Sequence, residues 1–177
     1  MQQTMAKVRV VEGAITLLVE AIGVALLTAM VIVVFAAVFM RYVMGDPLAW
    51  SDEAARFMLI WSAFLGAALG VRRGSHYGIL LILKRFPPAL HRLALFLIAA
   101  GMAVFMFILV RIGVNLMIMA NVQTSPSLEL KMSWIYAAIP VSGTLMLFYL
   151  LLDMIDLATT GRTVLGVDPT AEHEQAE

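Results

Sequence analysis

Residues 50–71 read WSDEAARFMLIWSAFLGAALGV, and residues 57–71 carry no charge at all. That is the length an α-helix needs to cross a bilayer, about 20 residues. Yet the stretch opens on two acids and an arginine within little more than one helical turn. A charge carried to the bilayer centre costs at least ~2.5–3.5 kcal/mol. The segment is therefore either an ordinary membrane helix with a charged end or one built to dock against something.

Composition settles the solvent. Of 177 residues 62% are hydrophobic and only 14% charged. A soluble domain would be about half apolar and about a quarter charged. A single small core cannot hide this much apolar surface, so lipid is the expected surrounding. Formal charge balances at +0, which implies no bulk attraction to nucleic acid. The absence of cysteine excludes disulfides, thiolate metal sites and thiol nucleophiles.

Four apolar runs follow one another, at residues 14–42, 50–71, 89–120 and 133–157. They lack the alternation of barrel strands, so helices are the spanning structure. The predicted fold is an all-α integral membrane protein, a bundle of four transmembrane helices forming one domain over residues 1–160. Residues 161–177, acidic and without apolar periodicity, read as a disordered cytoplasmic tail. The first run is far longer than the apolar core of a signal peptide, and its exit FMRYVMGD lacks a small-x-small cleavage site, so it is expected to be retained.

Orientation follows the basic residues of the short loops. Lys7 and Arg9 precede the first span, and Arg72, Arg73, Lys84 and Arg85 lie between the second and third, with Arg92 at the edge of that loop. The opposite side offers little beyond Arg41 and Lys131. Both termini are expected in the cytoplasm. The middle loop, RRGSHYGILLILKRFPPALHR, mixes bases with an apolar stretch too short to span, which predicts an interfacial segment on an anionic leaflet. Glu20, early in the first run, and Arg111, late in the third, are expected near the headgroups, with an intramembrane contact to a partner helix as the other reading.

At 100° per residue, Trp50, Phe57, Trp61 and Phe64 share one stripe of the second helix. Asp52, Arg56, Ala63, Gly66, Ala67 and Gly70 lie on the broadly opposite face. Gly66 and Gly70 form a small-xxx-small pair that lets another backbone approach closely. Ser51 is expected to cap the helix, with Asp52 and Glu53 favoured by the dipole and paired to Arg56 at i,i+4 and i,i+3. Capping explains the acids but not Arg56 one turn deeper. Helix-end stabilisation and a docking cluster covered by protein both remain open.

The chemistry of an enzyme is not visible. Axial haem ligands would sit deep in the helices, whereas His76, His91 and His173 lie in or beside the basic loop and in the tail. No His and acid groups recur at ligand spacing, and no phosphate-cradling glycine loop or nucleophile–base pair appears. No catalytic, cofactor or metal residue is predicted. A membrane anchor for a redox complex and a self-contained small channel or transporter are the rival classes.

The order WSDEAAR (residues 50–56), Trp61, FLGAA (64–68) and RRGSH (72–76) resembles the small membrane (Q-type) subunit of tripartite ATP-independent periplasmic (TRAP) transporters. A second match is SPSL (125–128) followed by WIYAAIP (134–140). Leu80 and Lys131 stand where the family often has an acid and a proline. The resemblance implies a bacterial inner-membrane protein partnered by a large permease subunit and a periplasmic solute-binding protein. Uptake of an organic anion, commonly a carboxylate, would be driven by an ion gradient, with sodium coupling in the large subunit. In that setting Trp50, Asp52, Glu53, Arg56, Gly66 and Gly70 are expected at helix or subunit docking. Arg72, Arg73 and His76 are expected as cytoplasmic-edge contacts to lipid or partner. Pro140 is expected to kink the fourth span, with Ser142 and Thr144 helping to satisfy the freed backbone.

Overall fold

A computed structural model describes residues 2–73 and 88–160 of the protein. The expectations for His76, for the interfacial stretch of the middle loop and for the 161–177 tail lie outside the described residues.

Four helices are long and apolar enough to cross a membrane. The first span is α1 (Gln2–Phe39), prolonged by a π turn, Met40–Met44. The second is α2 (Ser51–Arg72) and the third is α3 (Pro88–Met119), which ends in a 3₁₀ turn, Ala120–Val122. A short helix, α4 (Met132–Tyr136), leads into α5 (Ala138–Thr160) to make the fourth. Gly45 closes the π turn with φ 73°, donating its N–H to the Met40 carbonyl. Glycine reaches that left-handed conformation without the Cβ clash other residues meet.

The spans pack as a row, α1 on α2, α2 on α5 and α5 on α3. Among the described residues no comparable contact joins α1 to α3, so the predicted bundle is an open array rather than a closed ring. The fourth span is the most buried of the four and α1 the least. Where α2, α3 and α5 meet, Ala68, Met106, Met146 and Leu150 form the core. On α1 the covered stripe recurs at Glu12, Thr16, Val19, Gly23, Leu26, Met30, Val33 and Ala37, the period of a helix. Thr16 also reaches Tyr149 of α5 at 3.2 Å.

At two glycines α3 and α5 approach closely. A Cβ added to Gly113 would lie 2.8 Å from Ile139 Cγ2 and 2.9 Å from Pro140 Cδ, and one added to Gly143 would lie 2.8 Å from Val110 Cγ2. The close small-residue contact shown here is made by one glycine on each helix, Gly113 on α3 and Gly143 on α5. Gly66, expected in that role, is exposed, and a Cβ there would meet nothing within 4 Å.

The fourth span is interrupted at Ala137, one turn before Pro140. Proline has no N–H for the Tyr136 carbonyl, so the α-helical ladder is broken at that point. Thr144 donates to the Pro140 carbonyl at 2.7 Å. Ser142, expected to help satisfy the freed backbone, is fully buried and its hydroxyl has no partner among the described residues.

Candidate functional site

Aromatics and the loop joining the third and fourth spans mark one end of the row, with Tyr42, Trp50 and Trp134 all exposed there. Such amphipathic rings suit the headgroup level. At the other end Arg72 and Arg73 meet carboxylates of α1. The 22 residues of α2 between these levels rise about 33 Å, close to the thickness of a hydrocarbon core.

At the loop end the charged cluster takes an arrangement that helix spacing does not anticipate. Ser51 is not the cap. Trp50 occupies the capping position, and the buried Ser51 hydroxyl donates instead to the Leu48 carbonyl at 2.7 Å. Ser51 is already inside the first turn, one residue past the capping position, and its hydroxyl bonds back to the incoming turn. Asp52 is 3.6 Å from Arg41 at the end of the first span rather than paired to Arg56. Both side chains are largely exposed, so that pair contributes at most about 1 kcal/mol.

Glu53 holds the loop. One oxygen, Oε2, accepts the backbone N–H groups of Ser127 and Leu128, each at 3.0 Å. Two successive amides converging on one carboxylate oxygen make a small anion-binding nest. The loop is shaped to present them. Thr124 and Lys131 form an antiparallel bridge, and the Ser125 N–H donates to the Leu130 carbonyl at 2.8 Å. The Ser125 hydroxyl accepts from the Leu130 N–H at 3.3 Å, and Ser125 itself is buried. Glu129 takes φ 53° to close the turn. The stretches WSDEAAR and SPSL, more than 70 residues apart in sequence, are thus joined directly through Glu53.

Arg56 is left without an ion pair or hydrogen bond among the described residues, and it is exposed. It stands beside a groove of about 450 Å³ whose lining includes Phe57, Ile60, Phe64, Pro126, Ile135 and Tyr136. Phe57 and Phe64, half of the aromatic stripe read from the sequence, line this groove. Beyond Arg56, the face carrying Ala63, Gly66 and Ala67 is exposed, so none of the described elements covers it.

At the opposite end Arg72 is turned inward. Its Nε lies against Glu12 Oε1 of α1, an ion pair whose N–H is not aligned as an in-line hydrogen bond. Glu12 is nearly buried. Arg73 Nη2 donates to Glu20 Oε1 at 2.7 Å, with its own side chain largely exposed. The two arginines read as lipid or partner contacts therefore first clamp α2 to α1. Glu20 lies beside this charged end, as expected. Sequence reasoning passed over Glu12, although Glu12 and Glu20, eight residues apart, fall on one side of a helix.

Comparisons with known proteins bear on this geometry. The family described as "Tripartite ATP-independent periplasmic transporters, DctQ component" matches residues 30–160, a range that holds both stretches joined by Glu53. The chain is 35% identical to the C4-dicarboxylate TRAP transporter small permease protein DctQ of Rhodobacter capsulatus, over 75% of this chain and 63% of that relative. It is 28% identical to the sialic acid TRAP transporter small permease protein SiaQ of Vibrio cholerae, over 86% of each. A third relative, the sialic acid TRAP transporter permease protein SiaT of Haemophilus influenzae, is 25% identical over 82% of this chain but only 24% of its own length. The chain belongs to the DctQ family, the small permease components of TRAP transporters.

Proposed function

We propose that this chain is the small permease subunit of a TRAP-type secondary transporter, a fixed membrane scaffold for a large permease subunit. The large subunit takes up an organic anion, a carboxylate, in a step driven by an ion gradient, after a periplasmic binding protein delivers it. The observation that carries the reading is the family match over residues 30–160, which includes the second, third and fourth spans together with the loop tied to Glu53. The roles named for the relatives, C4-dicarboxylate and sialic acid transport, both concern carboxylate-bearing anions and support that substrate class.

In this reading the chain is neither an enzyme nor a cofactor carrier, and coupling by sodium belongs to the large subunit. It resides in the bacterial inner membrane with both termini cytoplasmic, in keeping with the basic residues Arg72 and Arg73 at the end of α2 that faces the N-terminal half of α1. An open row of four helices suits a scaffold. It leaves long apolar faces for a partner while its own contacts fix the order of the helices.

The test is reconstituted uptake. Proteoliposomes containing this chain, its cognate large permease and the binding protein should accumulate a carboxylate under a sodium gradient. Omitting this chain should abolish uptake, and this chain alone should give none. Flux from the chain alone, or undiminished flux without it, would overturn the reading.

A further inference from the structure

Arg111, expected near the headgroups from its late position in the third apolar run, stands well inside the third span, Phe96–Val122. Eleven residues separate it from Val122 at the loop end, about 16 Å of helix. From the opposite end, Ala68 is four residues inside Arg72 and packs in the same cluster as Met106, which is five residues before Arg111. Those nine residues amount to about 14 Å. The glycine contacts agree, because Val110 meets Gly143 and Gly113 meets Pro140, which puts Arg111 level with the middle of the fourth span. The arginine stands near mid-depth, farther from either end than its side chain reaches.

Its surroundings make that position costly. Arg111 is exposed and has no hydrogen bond or ion pair among the described residues. Asn115, one helical turn on, is also exposed and has no such partner. Around them Val104, Phe107, Ile108, Ile112 and Ile118 form an apolar face on α3, one of the two edge helices of the row. A guanidinium in hydrocarbon is stable only when paired or reached by water, and intramembrane charges of this kind face protein.

We propose that this face of α3 is the surface on which the large permease docks, with the Arg111 guanidinium neutralised there by a carboxylate of that chain and Asn115 hydrogen-bonded beside it. The inference rests on the subunit reading above and names the surface. Two observations choose the occupant. An unpaired cation requires an anionic partner, which lipid tails do not supply. In addition, the SiaT relative carries a segment like this chain as 24% of a longer permease polypeptide, so the remaining permease is continuous with such a segment.

The test uses the complex co-expressed from its own operon. A photoreactive residue placed at position 107 or 115 should crosslink to the large permease. Arg111→Leu should lower the permease retained on a tagged small subunit by about thirtyfold or more, because it leaves a carboxylate buried and unpaired. Arg111→Lys should recover most of that loss. The melting temperature of the isolated small subunit should not fall in Arg111→Leu, since none of the described residues holds the guanidinium. Crosslinks only to a second copy of this chain, or only to phospholipid, while the wild-type complex still co-purifies, would overturn the surface and leave the subunit reading intact. If wild type fails to retain the permease at all, the subunit reading falls and this surface with it. A lower melting temperature for isolated Arg111→Leu would place the guanidinium's role inside the chain and overturn the proposal.

Discussion

Replacing Glu53 by alanine removes the acceptor shared by the Ser127 and Leu128 amides. Both bonds are 3.0 Å long and run to a carboxylate, so each belongs to the charge-assisted class worth about 1.5–3 kcal/mol. They share one oxygen and sit at a partly exposed edge, so they do not add fully. A combined loss of about 2–3 kcal/mol is the reasoned value. The loop is small and its opening need not unfold four helices, so global melting is a poor readout. Hydrogen exchange at the Ser127 and Leu128 amides reads the local opening directly. Each 1.36 kcal/mol is tenfold, so Glu53→Ala should accelerate exchange there by about thirty- to hundredfold. Glu53→Gln keeps a neutral carbonyl acceptor and should accelerate it by less than about tenfold. The Leu130 amide, held by Ser125, should change less than either. Unchanged protection at residues 127 and 128 in Glu53→Ala would refute the loop-holding role.

Other substitutions separate the contacts within this chain from the surfaces it leaves open. Gly113→Ala should destabilise the purified subunit by about 1–3 kcal/mol, because the new methyl meets Ile139 and the rigid Pro140 ring. Gly143→Ala meets the stiff Val110 side chain and a Leu109 methyl, so unfolding in mild detergent should show a loss of the same order. Gly66→Ala has open space and should stabilise the isolated subunit by up to about 1 kcal/mol through helix propensity. Glu12→Ala should lower stability by about 1–3 kcal/mol, measured by the same unfolding, because it strands the partly buried Arg72. Removing the more exposed Asp52–Arg41 pair should change it by less than about 1 kcal/mol.

The element types were legible because each span needs only length and apolarity, and residues 50–71 and 133–157 show both. Which face of each helix packs was not. In lipid the outward residues are as apolar as the inward ones, so the stripe from Glu12 to Ala37 has no hydropathy contrast to betray it. For the same reason Gly66 and Gly113 look alike in sequence, although only Gly113 meets a neighbour. The charges at the start of α2 were identified, but their partners were assigned by local helix spacing. The true partners, Arg41 for Asp52 and the Ser127 and Leu128 amides for Glu53, come from distant segments that only folding brings near. The level of Arg111 along the row was not legible, because the apolar run was counted from its sequence edge. Packing of Met106 on Ala68 and Gly113 on Pro140 sets the depth instead.

The central claim is that this chain works as one component of a larger membrane complex. Affinity purification of the tagged chain from native membranes, followed by identification of every co-purifying protein, tests it most directly. The expected result is a large permease encoded alongside it, at a fixed ratio and retained in mild detergent. Recovery of the chain alone, or with a haem-bearing redox complex in place of a permease, would contradict the account.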